Sequence, residues 1–168
     1  MKRSTTIALS IFILLIAIAV PLYYFTRPDS TQPAGTLQIE GNVNNPINLT
    51  ISQLQSLPAV TLQVTVSSSS HQEDNGVFNY TGVPLKDLLS QAQANANATS
   101  IYVQASDGYG TTITMQDAQS QNTFIAYQKD GQPLTLLKDG GEGPLRLIIG
   151  GDQYAQRWVR GVVALDVS

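Results

Sequence analysis

Residues 60–92 read VTLQVTVSSSSHQEDNGVFNYTGVPLKDLLSQA, and two different periods lie within them. From Val60 to Val66 the apolar side chains Val60, Leu62, Val64 and Val66 alternate with Thr61, Gln63 and Thr65, the period of two that gives a strand one apolar and one polar face. Leu85, Leu88, Leu89 and Ala92 recur instead at helical spacing. Pro84 stands just before them and suits a first helical turn, where its missing N–H has no partner to lose. Between the two segments Ser67 to Gly76 is polar and predicts a loop. A long strand and an amphipathic helix in one short stretch, with no internal repeat, predict an α+β domain of mixed β-sheets and short helices.

The flanking segments extend this pattern. Leu37 to Val43 alternates, Asn44-Asn45-Pro46 turns the chain, and Ile47 to Leu49 returns, which predicts a strand pair. Thr50 with Gln53 three residues on is a capping-box pattern for a short helix through Leu57, stopped by Pro58. Ile101 to Ala105 and Thr111 to Met115 read as strands across the turn Ser106 to Gly110, with Gly108 supplying a positive φ. Phe124 to Tyr127 and Leu134 to Leu137 pair across Lys129-Asp130-Gly131-Gln132, a sequence suited to a tight hairpin. Leu145 to Ile149 and Val159 to Val167 are apolar and β-branched and close the sheet.

Composition removes several function classes. The 168 residues include no cysteine, which excludes disulfides, thiolate metal sites, cysteine nucleophiles and a lipobox-type lipid anchor. His71 is the one histidine, too few for a two-histidine zinc site. Setting aside Lys2, Arg3 and Arg27 leaves six basic residues against twelve acids, a net charge of about −6 that argues against nucleic acid as a partner.

Lys2 and Arg3 precede an apolar run from Ile7 to Phe25, broken only by Ser10 and Pro21 and near the ~20 residues a membrane-crossing helix needs. Tyr23, Tyr24 and Phe25 followed by Arg27 form an aromatic belt suited to a retained anchor. Ala17-Ile18-Ala19 has the small-x-small form of a cleavage site, so secretion after signal cleavage is the alternative. The expected organisation is an anchor or signal segment over 1–27, a linker over 28–35 and a domain over 36–168. Positive charge on the short N-terminal side places that domain outside the cytoplasm, single-pass at the cell membrane. Sequons begin at Asn48, Asn79 and Asn97, which a chain this rich in Asn, Ser and Thr also produces by chance.

The arginines of the folded part, Arg146, Arg157 and Arg160, cluster after the glycine-rich Asp139-Gly140-Gly141-Glu142-Gly143-Pro144. Guanidinium forks beside a close-approaching backbone suit a phosphate or other oxyanion. The plainer alternative pairs them with acids such as Asp152 or Asp166. Gly141-x-Gly143 lacks both a third glycine in register and a GK[ST], so neither a dinucleotide fingerprint nor a P-loop is present. His71, Glu73 and Asp74 have metal-ligand chemistry, but adjacent polar residues in a turn are more often solvated. Trp158, the single tryptophan, suits a packed core better than a ligand platform.

In the order of its segments the sequence resembles the molybdopterin-binding domain of sulfite oxidase-type oxidoreductases, in the short, free-standing prokaryotic form. The resemblance rests on Gly41-Asn42-Val43 with Pro46, on Leu49 to Leu54, on Tyr80 to Leu89 and on Ala105 to Tyr109. It continues through Phe124 to Tyr127, Gly131 to Leu134, Gly143 to Ile149 and Arg157-Trp158-Val159-Arg160. It implies a molybdenum cofactor held by a pterin dithiolene and one protein thiolate, with oxygen-atom or electron transfer as the activity. That thiolate belongs to a cysteine at the end of the long strand, where this chain has Ser67 to Ser70. The basic residues expected after it are replaced by the acidic His71-Gln72-Glu73-Asp74.

What the resemblance leaves for a cofactor pocket is Asp107, Tyr109, Arg146, Arg157 and Arg160, with Ser67, Ser70 and His71 on the loop. Arg146 and Arg157 are expected on the same face as Ser67 to Ser70, and Arg160 is expected to pair at the surface. Two functions are consistent with these residues. One is a membrane-anchored molybdopterin-binding domain, a redox protein or a carrier, with a redox protein partner. The other is a cofactor-free surface binding or protein-interaction module on the same fold.

Overall fold

The computed structural model describes residues 12–18, 35–68 and 75–168. In chain order the elements of the domain are β1 (Thr36–Gly41), β2 (Ile47–Thr50), α1 (Ile51–Gln55), β3 (Val60–Val66), β4 (Gly76–Pro84), α2 (Leu85–Gln91) and β5 (Ser100–Ala105). They continue as β6 (Gly110–Thr114), α3 (Met115–Gln119), β7 (Thr123–Lys129), β8 (Gln132–Pro133), β9 (Arg146–Ile149) and β10 (Val162–Val167). One sheet runs β2-β1-β10-β5-β6, and the parallel pairing of β1 with β10 makes it mixed. The second runs β3-β4-β7 and is antiparallel throughout, with β8 and β9 both paired to β7.

Local sequence accounts for several of these boundaries. Thr50 Oγ1 accepts from the Gln53 N–H at 3.3 Å while Gln53 Oε1 accepts from the Thr50 N–H at 2.8 Å, the reciprocal capping box that starts α1. Asp130 at φ 49° and Gly131 at φ 78° form the tight turn that sets Lys129 opposite Gln132. Gly108 has φ 84°, as the turn between β5 and β6 requires. Leu85, Leu88 and Leu89 bury one side of α2 in the core, and α2 packs on β4, β7 and α3.

Three segments depart from the pattern read in the sequence. No strand is expected between Gly76 and Pro84, yet β4 occupies this stretch and pairs with β3 from Val60↔Gly82 to Val66↔Gly76. Asn79, Thr81 and Gly82 hide its period in the sequence, but Tyr80 is fully buried between exposed Asn79 and half-buried Thr81. Met115 starts α3 instead of ending a strand, because Thr114 Oγ1 accepts from the Asp117 N–H at 3.0 Å and caps a helix. Past Pro133, Leu134 keeps one bond to Tyr127 O at 3.1 Å, and the chain then tightens into a 3₁₀ turn at Leu137–Asp139 where a longer strand is expected.

Residues 12–18 are helical, with Phe12 to Ile16 and Ile18 exposed. The rest of the apolar run from Ile7 to Phe25 lies outside the described residues. Among the described residues no helix is long and apolar enough to cross a membrane.

The register of the second sheet shifts between Thr81 and Gly82, where β4 lies close against β7. A Cβ on Gly82 would stand 2.1 Å from Ile125 O and 2.5 Å from Ala126 Cα, both backbone atoms that cannot rotate aside. Gly82→Ala is therefore expected to lower unfolding free energy by about 1–3 kcal/mol. Gly151→Ala, where a Cβ meets nothing within 4 Å, should change it by less than about 0.5 kcal/mol in the same denaturant titration.

Candidate functional site

β3 ends at Val66, and the chain around that end forms one wall of a cleft of about 1000 Å³. Val66 and Ser68 line it from this side, and Ser106, Asp107 and Tyr109 line it from the β5–β6 turn. The 3₁₀ turn with Leu137, Lys138, Gly140 and Gly141 forms a further wall. Ala155, Gln156, Trp158 and Arg160, from the segment joining β9 to β10, complete the lining with Arg146 from the start of β9.

Arg146 is the most deeply placed charge here, 1% exposed. Its Nη1 donates to the Tyr80 hydroxyl at 2.6 Å and to Glu142 Oε2 at 2.5 Å. Tyr80 donates in turn to Glu142 Oε2 at 2.7 Å, and Lys129 Nζ donates to Oε1 at 3.0 Å. Burial works against the Glu142 charge, yet the Arg146 charge and the bonds from Tyr80, Lys129 and Arg146 hold its carboxyl below the usual carboxylate range. Burial pushes the Tyr80 phenol far up, so it stays protonated and donates. The Arg146 guanidinium carbon lies 5.3 Å from the Tyr80 ring centroid and 5.6 Å from that of Trp158. Two buried donors beside the cleft, Arg146 Nε and Trp158 Nε1, have no hydrogen-bond partner among the described residues. Each such group costs about 1–3 kcal/mol when left unmet, so both call for an acceptor.

Arg160 joins Arg146 directly. The two residues face each other in an antiparallel bridge, flanked by Leu147 N–H to Val159 O and Val162 N–H to Leu145 O, both at 2.9 Å. Arg160 is half-buried and lines the cleft, in line with its expected place among the pocket residues.

Arg157 departs from expectation. It is not among the lining residues, and its Nε and Nη2 grip Asp152 at 3.1 and 2.5 Å while Nη1 reaches Asp117 at 2.8 Å. The nearby acids satisfy the fork, so Arg157 clamps the wall segment to α3 and does not face the cleft. Ala155 N–H to Ser67 O at 3.1 Å ties the same segment to the end of β3.

The remaining sequence candidates fall into separate places. Asp107 Oδ1 accepts from the Tyr109 N–H at 2.9 Å, and the exposed Tyr109 donates its hydroxyl to Gln156 O at 3.3 Å across the cleft. Ser68 lines the cleft, whereas Ser67 contributes its carbonyl to the wall. Ser70 and His71 lie outside the described residues, as do Glu73 and Asp74. Among the described residues no group of three or more His, Cys, Asp or Glu could hold a metal. Trp158 is 4% exposed and belongs to the core while also lining the cleft. Gly141 and Gly143 are explained by packing, since a Cβ on them would stand 2.3 Å from Thr135 O and 2.4 Å from Leu134 Cβ. Sequence reasoning missed Tyr80, Glu142 and Lys129 as a cluster, although Glu142 stands four residues before Arg146.

Residues 25–168 match the family model of the oxidoreductase molybdopterin binding domain. The chain belongs to this family. Among solved structures it is similar to the sulfane dehydrogenase SoxCD from Paracoccus pantotrophus, at 23% identity and a TM-score of 0.68. That match covers 79% of this chain and 37% of the SoxCD chain, a likeness of fold alone. Among curated proteins no sequence matches.

The residues present fit the family's cofactor only in part. Arg146, Arg160, Lys138 and the Trp158 indole N–H suit an anionic, oxygen-rich ligand, and the cleft volume is ample for one. A soft metal–thiolate bond has no donor, because the chain contains no cysteine and the end of β3 offers serine. Thiolate-held molybdenum therefore does not fit these residues.

The Arg157 clamp has a defined pH signature. Hydrogen bonding from Arg157 is the largest influence holding the Asp117 carboxyl below its ordinary value, against the opposing effect of burial. A depressed carboxyl stabilises the fold above its unfolded value and loses that contribution as pH falls through its folded one. Arg157→Gln should lower stability by roughly 1 kcal/mol or less at pH 7, since the pair is partly exposed. The gap to wild type should narrow below about pH 4 in urea titrations across that range.

Proposed function

We propose that this chain is a membrane-anchored, extracytoplasmic domain that binds a pterin-class cofactor without turning it over. The observation that carries the reading is the floor of the cleft, where Arg146 and Arg160 pair in one bridge and the buried donors Arg146 Nε and Trp158 Nε1 lack acceptors among the described residues. Membership of the molybdopterin-binding family supplies the ligand class. Absence of cysteine argues against the redox activity that a thiolate-held molybdenum would support. The apolar run from Ile7 to Phe25 behind Lys2 and Arg3 supports the anchor and the orientation.

The missing thiolate also favours a second reading, a cofactor-free interaction module on the same fold. One experiment separates the two. The full chain, made in a host that synthesises the cofactor and purified from membranes, is assayed for molybdenum, tungsten and pterin fluorescence released on denaturation. The binding reading expects close to one pterin per chain. Protein with neither pterin nor metal overturns it and leaves the interaction module.

A further inference from the structure

We propose that Tyr80 and Glu142 are positioning residues for Arg146, holding its guanidinium by one edge so that the rest of the fork serves an oxyanion in the cleft. This inference rests on the cleft being a binding site for an anionic ligand, as proposed above.

The chain uses arginine in two contrasting ways, and the contrast carries the argument. Arg157 has Nε, Nη1 and Nη2 all donating to the carboxylates of Asp117 and Asp152. An arginine whose fork is closed by two acids has no remaining task toward an anion. In Arg146 both bonds to the cluster, to Tyr80 and to Glu142, leave from Nη1, while the buried Nε has no partner among the described residues. A guanidinium gripped at a single nitrogen is fixed in orientation yet still has donors to offer.

Charge tells the same way. Glu142 is the carboxylate of the cluster, and it is shared between Arg146 and Lys129. One negative charge therefore faces two positive ones, so Glu142 does not belong to Arg146 alone. The Tyr80 hydroxyl takes a bond from Arg146 and gives one to Glu142, so it fixes the angle between the two ions. Stability alone is a poor reason for such a cluster, because well-packed apolar residues often replace buried ion pairs without loss.

Trp158 provides the means of testing this, being the single tryptophan of the chain and lying 5.6 Å from the Arg146 guanidinium. The full chain is titrated with inorganic phosphate while tryptophan fluorescence is followed, and melting temperature is recorded for every variant. Wild type is expected to give a saturable change. Tyr80→Phe should weaken phosphate binding about tenfold. In an Arg146→Lys background, Tyr80→Phe should add no further loss, because the phenol acts through the guanidinium.

Glu142→Gln, whose amide oxygen can still accept from Arg146, gives an independent check, read at a temperature well below the melting point recorded for it. Removing a negative charge near an anion strengthens binding by electrostatics alone, whereas loosening the charge-assisted hold on Arg146 weakens it. Weakening by about threefold or more supports positioning. Unchanged or tighter phosphate binding in either variant overturns it while leaving the anion site intact. A wild-type chain with no saturable response overturns the anion-site reading and the positioning role with it.

Discussion

A guanidinium that is 1% exposed has to be neutralised and hydrogen-bonded where it lies, and the place Arg146 lies is the seam between the two sheets. Strand β9 belongs to the second sheet and β10 to the first. The chain between them bonds along β9 through Val159 and Val162 before joining β1 and β5. Gly161 N–H donates to Glu142 O at 3.0 Å and Gly161 O accepts from the Ser106 N–H at 2.9 Å, so the seam also fixes the Glu142 segment and the β5–β6 turn. The cleft walls are the loops leaving this seam. Removing Glu142 as a partner would leave a buried, uncompensated charge there, a defect that costs about 3–5 kcal/mol in comparable pairs.

Much of the fold was legible wherever a local rule had a local cause. The capping box at Thr50 and Gln53, the turn at Asp130-Gly131 and the apolar face of α2 each depend on residues a few positions apart, and each forms as the sequence implies. Strand β4 was not legible, because its period is carried by Tyr80 and by a glycine that is required only once β7 lies against it. The start of α3 did have a signal, Thr114 with Asp117 three residues on, but the β-branched run from Thr111 outweighed it. The resemblance to the molybdopterin-binding family supplied what periodicity lacks, the order of all these pieces, and the family match over residues 25–168 bears it out.

At the end of β3 this chain has serine where the resemblance to the family implies a thiolate. The fold requires a strand that ends beside the cleft, and β3 provides one whose Val64 and Val66 are anchored in the core. Strand pairing ends at Val66, so the ladder places no demand on the side chain after it. That is why the architecture persists with serine in place, and why likeness of fold to SoxCD at 23% identity carries no activity across.

The site was legible as a composition and not as an arrangement. Clustering of Arg146, Arg157 and Arg160 after a glycine-rich segment draws attention to the C-terminal third, but adjacency cannot say which arginine faces the cleft. The distribution of carboxylates decides it. Asp152 is five residues from Arg157 and could have been anticipated as its partner. Asp117 comes from α3, which was itself unread, and it takes the last of the three nitrogens used in that clamp. Arg146 meets a carboxylate it must share with Lys129, and Lys129 arrives on β7, at the end of the hairpin turn opposite Gln132. A cation stays available to a ligand when its nearest acid is already shared, and that condition is set by strand register, which brings β4, β7 and β9 together at Tyr80, Lys129 and Arg146.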